Sequence, residues 1–273
     1  MNDVLFAFIL TLIAGLATGI GGLIVMFSNV TNKKFLSVCL SFSAGVMIYI
    51  SFAEIFLEAF ESLEYVYGDG MGYLILTVSF FGGIIIMAII DRFIPHDESH
   101  TESLEISTEH EYASLKEKRE LKRTGISSTI AVAIHNFPEG LITFMAALYD
   151  PAMGVAIAVA IIIHNIPEGI AMAAPIYHAT GSKAKALMVS IGAGLTEPLG
   201  ALVAWLLLRN IFDNVEGAFG IIFAVVAGIM VFVAIHQLLP AAQKYGKHHL
   251  VMKWLFAGMA VMAISLVVLE FVF

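Results

Sequence analysis

Apolar stretches of about 20 residues, the length that a helix needs to cross a bilayer, recur along the whole chain. The pattern predicts eight such helices, named spans 1 to 8 from here on. Their expected bounds are about 4–28, 35–60, 72–93, 126–149, 152–178, 184–208, 217–240 and 249–273. The connections are short, apart from a polar segment at about 94–125 between spans 3 and 4. The prediction is an all-α integral membrane protein, with residues 1–273 forming a single polytopic membrane domain.

Composition supports the same class of protein. Hydrophobic residues make up 59% of the chain, charged residues only 13%, and the mean hydropathy is +0.91. A soluble domain carries about 25% charged residues, so an ordinary cytosolic enzyme and a disordered chain are excluded. The net charge of −8 argues against a nucleic-acid partner. The single cysteine, Cys39, excludes a disulfide framework.

Basic residues are distributed unevenly between the two sides of the predicted bundle. All 14 lysines and arginines except Arg209 lie in or beside the connections 1–2, 3–4, 5–6 and 7–8. Since the cytoplasmic connections of membrane proteins are enriched in these residues, we expect these four connections inside the cell. Both termini are then outside, which requires an even number of spans and so supports the count of eight. The expected location is the inner (plasma) membrane of the cell.

The polar segment between spans 3 and 4 contains three histidines among several carboxylates: His96, His100 and His110. One interpretation is a solvated cytoplasmic connector. The other is a weak metal-collecting segment, because histidine-rich tracts can bind metal ions. In the second case, these histidines would receive an ion after it has crossed the membrane.

One hexapeptide pattern, H-N-x-P-E-G, occurs twice. Residues 135–140 lie in predicted span 4, and residues 164–169 lie in predicted span 5, 29 positions later. That offset covers half of a helix, a tight turn near Asp150-Pro151 and half of the next helix. The two helices therefore run antiparallel, and the two motifs can meet at the same depth in the membrane.

The spacing within each motif gathers polar groups. The histidine and the glutamate are four residues apart and share one side of the helix, and the asparagine can reach a neighbouring site. The proline lacks an N–H, so each helix is expected to kink or loosen at Pro138 and Pro167. Span 6 repeats the combination of a carboxylate and a proline in Glu197-Pro198. The candidate metal ligands are His135, Asn136, Glu139, His164, Asn165, Glu168 and Glu197.

Ionisable side chains in the middle of a membrane are costly and need compensation. No lysine or arginine lies in the apolar part of span 4 or span 5 to neutralise the two glutamates. A divalent cation would do so, and imidazole with carboxylate suits Zn²⁺, Fe²⁺, Mn²⁺, Co²⁺ and Cd²⁺, while amide oxygens favour the harder ions. The alternative is a hydrogen-bonded polar core with protonated glutamates. The duplicated motif with its matching prolines favours the metal site.

These features favour a transporter whose cargo is the metal, without a catalytic cofactor. An integral-membrane metalloenzyme is one alternative, but the chain lacks H-E-x-x-H and an evident serine–histidine arrangement. A proton-coupled carrier of a small organic solute is another. It would explain the buried acids, but not the doubled set of histidine and asparagine.

On the two motifs and Glu197, the chain resembles the ZIP (Zrt/Irt-like protein) family of divalent-metal transporters, in particular its bacterial members. The resemblance covers nearly the whole chain. It implies a ZIP-like bundle of eight helices that takes metal ions into the cytoplasm through a binuclear site between spans 4, 5 and 6. Carried over by position, the first site has His135, Glu139, His164 and Glu168. The second has Asn136, Glu139, Asn165, Glu168 and Glu197, with the two glutamates bridging.

The same resemblance implies how such a protein works in the lipid bilayer. Family members move a transport unit that contains spans 4 and 5 against a scaffold, and they often form homodimers. The chain departs from the family pattern in span 7, where His236-Gln237 stand in place of acids, and in span 2, where Glu54 lacks a following proline. Charge alone leaves two interpretations of the acidic residues at the outer end of span 2: a rim that would concentrate cations, or a solvated helix end. These residues are Glu54, Glu58, Glu61, Glu64 and Asp69.

Overall fold

The computed structural model describes residues 3–27, 33–93, 109–210 and 215–272. Within these ranges every element is helical, and eight helical segments are long and apolar enough to cross a membrane. The predicted all-α fold with eight spans is confirmed. Five spans are uninterrupted: span 1 is Asp3–Phe27, span 3 is Asp69–Asp91, span 5 is Pro151–Thr180, and span 4 is the second half of Glu109–Tyr149. Span 8 is His248–Val272.

Spans 2, 6 and 7 are interrupted helices. Span 2 consists of Lys33–Ile50, Ser51–Ile55 and Phe56–Tyr67. Span 6 consists of Lys183–Gly194 and Thr196–Asn210. Span 7 consists of Val215–Phe232, Val233–Leu238 and Leu239–Tyr245. The middle segments of spans 2 and 7 are wide π-type turns, a geometry that occurs mostly as single turns at functional sites.

The spans pack as two groups that meet along one interface. Span 1 lies along spans 5 and 6, and span 4 packs against the same two spans. In the second group, span 2 packs against spans 7 and 8, and span 3 packs against span 7. Contacts between spans 2 and 5 join the groups. Spans 3 and 8 expose most of their surface, whereas spans 2, 5 and 7 are mostly buried, so the two motifs lie inside the bundle.

Tight turns join spans 4, 5 and 6. Asp150 stands between spans 4 and 5, and its side chain accepts a hydrogen bond from the N–H of Ala152 at 2.8 Å. Pro151 follows as the first helical residue, where a missing N–H has no cost. Span 5 ends at Gly181, whose φ of 65° is a left-handed conformation that glycine adopts readily. The predicted turn near Asp150 is confirmed.

The connector between spans 3 and 4 is helical in its second part. The helix that forms span 4 begins at Glu109, so it runs through the basic residues before it enters the apolar segment. His96 and His100 lie outside the described residues. His110 is in the first turn of this helix, so this part of the connector is regular helix.

Departures from regular α-helix do not fall at the motif prolines. Spans 4 and 5 continue as helices through Pro138 and Pro167. Among the described residues of span 6, the helix breaks at Leu195 and restarts at Thr196. Pro198 lies in the first turn of the restarted helix, where N–H groups have no acceptor within the helix. Because of the break, Pro198 does not remove a backbone hydrogen bond from the helix.

Spans 4 and 6 approach each other closely at two glycines. A β-carbon on Gly140 would overlap the backbone of Glu197, and one on Gly200 would overlap the carbonyl oxygen of Phe137. Because glycine lacks this atom, the two backbones can touch. The last residue of the first motif thus positions Glu197 beside that motif.

Gly140→Ala is expected to destabilise the protein by about 1–3 kcal/mol, the usual range for overpacking a closely packed core, and to reduce the metal transport that the resemblance to the ZIP family implies. The control is Gly192→Ala, also in a helix, where the added carbon has no described atom within 4 Å apart from its own helix backbone and chain neighbours. Thermal unfolding of the purified protein in detergent measures the first effect, and uptake of radiolabelled Zn²⁺ into proteoliposomes measures the second. Equal stability of the two variants would show that the contact between spans 4 and 6 can relax.

Candidate metal centre

The two hexapeptide motifs meet in the structure, and their histidines and glutamates form crossed pairs. His135 Nε2 of span 4 lies 3.0 Å from Glu168 Oε2 of span 5. His164 Nε2 of span 5 lies 3.3 Å from Glu139 Oε1 of span 4. All four side chains are buried, with at most 1% of their surface exposed. Each pair therefore links the two antiparallel helices at the same depth, as the spacing of the motifs predicts.

A proton must lie within each crossed pair. The Nδ1–H of His164 donates to the carbonyl oxygen of Ala160 at 3.0 Å, because a carbonyl oxygen can only accept. In the neutral imidazole, Nε2 then carries a lone pair that faces Glu139. A proton on one of these two atoms is needed to make the contact favourable. Imidazole nitrogen and carboxylate oxygen are both zinc ligands, so a divalent cation could replace such a proton.

Asn165 connects span 5 to spans 1 and 6. Its Nδ2 donates to the carbonyl oxygen of Ala14 at 3.0 Å and to Glu197 Oε1 at 2.5 Å. These two bonds use both amide hydrogens and fix the orientation of the amide. Asn165 Oδ1 and Glu197 Oε2 have no hydrogen-bond partner among the described residues. Both oxygens are thus available as ligands.

Span 4 contributes further unpaired atoms. Both side-chain polar atoms of Asn136, together with Glu139 Oε2 and His135 Nδ1, have no partner in the part of the chain that the structure describes. Buried polar atoms are seldom left unpaired. Amide and carboxylate oxygens are ligands that divalent cations accept. The unpaired oxygens therefore suit a cation as their partner.

The crossed pairs do not form a metal-binding group in this structure. Among the described residues, no group of three or more His, Cys, Asp or Glu side chains is arranged to hold a metal ion. The histidines and glutamates contact each other two by two instead. The structure thus joins the two histidines and two glutamates of the motifs in pairs and Asn165 to Glu197, while Asn136 is buried without a hydrogen-bond partner among the described residues.

Ser43 of span 2 also contacts the cluster, and the sequence analysis missed it. Its hydroxyl donates to Glu168 Oε1 at 2.9 Å and can instead donate to the carbonyl oxygen of His164 at 3.2 Å. With His135 on the other oxygen, both oxygens of the Glu168 carboxylate are occupied. One serine in an apolar span carries no distinguishing signal. Its role depends on which helix packs against span 2.

The residues that depart from the family pattern have partners of their own. Gln237 Nε2 donates to Asp91 Oδ1 at 2.7 Å, and His236 Nδ1 lies 3.4 Å from Asp91 Oδ2. Asp91 is the last residue of span 3 and is buried, whereas His236 is largely exposed. Glu54 lies half-buried in the π-type turn of span 2. The cluster at Asp91 is distinct from the crossed pairs.

An eight-span bundle with histidines, carboxylates and amides gathered between its inner helices is the arrangement of a membrane transporter for metal ions. The chain matches the family model described as ZIP Zinc transporter over residues 3–266 and belongs to this family. The resemblance identified from the two motifs is therefore confirmed.

Proteins of several bacteria that carry the name Zinc transporter ZupT are similar to the chain. The protein of Clostridium perfringens is 52% identical, over 97% of this chain and 96% of its own length. The protein of Chlorobium chlorochromatii is 50% identical, over 97% and 98%. The protein of Lysinibacillus sphaericus is 52% identical, over 98% and 99%. The similarity thus extends over all eight spans.

Ser43→Ala is expected to destabilise the metal-free protein by about 1.5–3 kcal/mol, the range for a hydrogen bond to a charged group. The physical reason is that Glu168 Oε1 loses its donor inside the bundle. The matched control is Ser41→Ala on the same helix, because Ser41 only donates to the carbonyl oxygen of Ser37 one turn earlier. Thermal unfolding of both purified variants is the measurement. If the two variants lost equal stability, the Ser43–Glu168 contact would have no special weight.

Proposed function

We propose that this member of the ZIP family carries zinc and related divalent cations across the membrane into the cytoplasm through the residues of the two motifs. The observation that carries the proposal is the pair of crossed histidine–glutamate contacts, surrounded by unpaired oxygens, between spans 4 and 5. Transport of zinc agrees with the names of the similar proteins. Fe²⁺, Mn²⁺, Co²⁺ and Cd²⁺ are proposed as further cargo because the donors are both nitrogen and oxygen.

The proposed site has two halves. His135, His164 and the two motif glutamates supply nitrogen and oxygen for one ion, once each imidazole separates from its carboxylate. Amide and carboxylate oxygens, including those of Asn165 and Glu197, supply a harder set for a second ion, with Glu139 and Glu168 bridging the two. The unpaired atoms Asn165 Oδ1 and Glu197 Oε2 support the second half, and metal binding would release the protons of the crossed pairs.

The grouping of the helices supports an alternating-access mechanism. The proposed ligands lie on spans 4, 5 and 6, which with span 1 form one group, whereas span 2 and its neighbours form the other. A relative shift of the two groups would expose the site first to one side and then to the other, as in many secondary transporters. Ser43 and Glu168 join the groups across that interface.

The charge distribution and the family support a proposal for the direction of transport and the location of the protein. We propose an inner-membrane protein with both termini outside. The acidic rim, which includes the half-buried residues Glu54, Glu58 and Glu64, would then attract cations at the outer surface. Membership in a transporter family favours transport over the two alternatives, a membrane metalloenzyme and a carrier of a small organic solute. A homodimer in the bilayer is part of the same proposal.

The motif glutamates test the site most directly. Glu139→Gln and Glu168→Gln keep the shape of the side chain and remove its negative charge. We expect Zn²⁺ affinity to fall by more than in Asn136→Ala and Asn165→Ala, because a charged ligand contributes more than a neutral amide to binding a dication. His164→Ala should weaken Zn²⁺ and Cd²⁺ more than Mn²⁺. Glu197→Gln should leave one metal ion bound.

The measurements are metal affinity and stoichiometry of the purified protein, together with uptake into proteoliposomes. Thermal unfolding of the metal-free variants is the control for folding, and the two glutamine variants should unfold at a somewhat lower temperature than the parent but remain folded, since each loses the charged partner of one buried histidine. If both glutamine variants bound and carried metal like the parent, the cluster would be only a structural polar core.

Labelling of introduced cysteines tests the proposed orientation. With buried Cys39 replaced by alanine, Lys118→Cys should react with a membrane-impermeant maleimide only after the cells are lysed, because connections rich in basic residues, such as the 3–4 connection, favour the cytoplasmic side. Gly70→Cys, at the open start of span 3, is the control that should react in intact cells. Reaction of Lys118→Cys in intact cells would reverse the orientation.

A further inference from the structure

Thr18 of span 1 has a buried hydroxyl without a partner. The residue is fully buried, and its Oγ1 has no hydrogen-bond partner among the described residues. Buried threonines in helices usually donate to the carbonyl oxygen three or four residues earlier. Thr11 and Thr143 do this, at 2.9 Å from Ala7 and 2.7 Å from Glu139. Thr18 is therefore an exception that calls for a physical reason.

Both carbonyl oxygens that Thr18 could use are engaged by other spans. The carbonyl oxygen of Ala14 accepts from Asn165 Nδ2 at 3.0 Å, in addition to the N–H that reaches it within the helix. Two hydrogen bonds fill both lone pairs of a carbonyl oxygen. The carbonyl oxygen of Gly15 faces Gly194 so closely that a β-carbon on Gly194 would overlap it. The amide that orients the proposed ligand Asn165 thus displaces the hydroxyl of Thr18.

Thr18 packs against the segments that carry the other unpaired oxygens. A β-carbon on Gly194, three residues before Glu197, would lie 3.2 Å from Thr18 Cβ, and a β-carbon on Gly169, four residues after Asn165, would overlap the carbonyl oxygen of Thr18. Thr18 lies one helical turn after Ala14, which contacts Asn165. The hydroxyl makes no hydrogen bond with Asn165 Oδ1 or Glu197 Oε2, although all three atoms are unpaired within the described ranges. Polar atoms that lie near one another beyond direct hydrogen-bond distance are commonly bridged by water.

We propose that Thr18 is a specificity-determining residue of the oxygen-rich half of the site, and that its hydroxyl hydrogen-bonds a water molecule that the bound cation retains. This inference rests on the proposed function, because it assumes a cation at Asn165 and Glu197. Mn²⁺ prefers carboxylate, carbonyl and water oxygens, whereas Zn²⁺ accepts imidazole readily and binds fewer ligands. Thr18 therefore supports binding of Mn²⁺ more than binding of Zn²⁺.

The experiment compares Thr18→Val, which keeps the shape and removes the hydroxyl, with Thr18→Ser, which keeps the hydroxyl. The matched control is Thr11→Val on the same helix, where the lost hydroxyl makes only the ordinary bond to Ala7. Affinities for Mn²⁺ and for Zn²⁺ are measured on the purified full-length protein, together with the melting temperature with and without each metal. Thr18→Ala replaces the valine variant if the latter does not fold.

We expect Thr18→Val to lower Mn²⁺ affinity about threefold to tenfold, the range for one lost hydrogen bond, and to lower Zn²⁺ affinity less. Its metal-free melting temperature should equal or exceed that of the parent, since the hydroxyl removed is unpaired there. Of the increases in melting temperature that the two metals cause, only the increase caused by Mn²⁺ should be smaller in Thr18→Val than in the parent. Thr18→Ser and Thr11→Val should bind both metals like the parent.

Two results would overturn the inference. One is parent-like Mn²⁺ affinity of Thr18→Val, and the other is an equal loss of Mn²⁺ affinity in Thr11→Val. Either would leave the proposed transport of zinc intact, because the parent protein would still bind and carry the metal. If the parent itself bound neither ion and showed no uptake, the proposed function would fail together with the inference.

Discussion

Two buried histidine–glutamate pairs impose the main constraint on this bundle. Charged groups at mid-membrane are tolerated only when each has a partner. Here the partner of each glutamate is the histidine of the other motif, on the neighbouring helix. This crossing requires spans 4 and 5 to be antiparallel and joined by a turn as tight as the one at Asp150. The short connection and the duplicated motif thus act together to form the crossed pairs.

The remaining polar contacts depend on close packing of backbones. Glu197 reaches Asn165 because span 6 touches span 4 at Gly140. Asn165 reaches the carbonyl oxygen of Ala14 because span 1 approaches span 5 closely, and a β-carbon on Gly169 would overlap the backbone of Thr18. Small residues commonly permit such approach between membrane helices. Glycines in three spans therefore determine where amide and carboxylate atoms can meet.

The sequence predicts the parts of this arrangement that have a period or a repeat. Eight apolar stretches predict eight spans, and the spacing of His135 and Glu139 predicts a shared helix side, whereas the prolines do not predict where a helix is interrupted. Pro138 stays within an unbroken helix, while Leu195 marks a break. Whether a helix breaks depends on the neighbour that packs against it. The roles of Ser43 and Thr18 could not be predicted either, because the role of a single hydroxyl in an apolar span depends on the helix that packs against it.

A carrier has to pass through a metal-free state in each cycle, and the crossed pairs lower the free-energy cost of the buried charges in that state. If a dication were the only partner of Glu139 and Glu168, its release would leave two uncompensated charges inside the bundle, at a cost of several kcal/mol each. The histidines would prevent this at the proposed site, because each imidazole has a carboxylate of the other motif within 3.0 to 3.3 Å. Binding at that site would then be an exchange of partners rather than the filling of a charged cavity. Such an exchange would lower affinity, from which a transporter benefits because an ion that binds too tightly cannot be released.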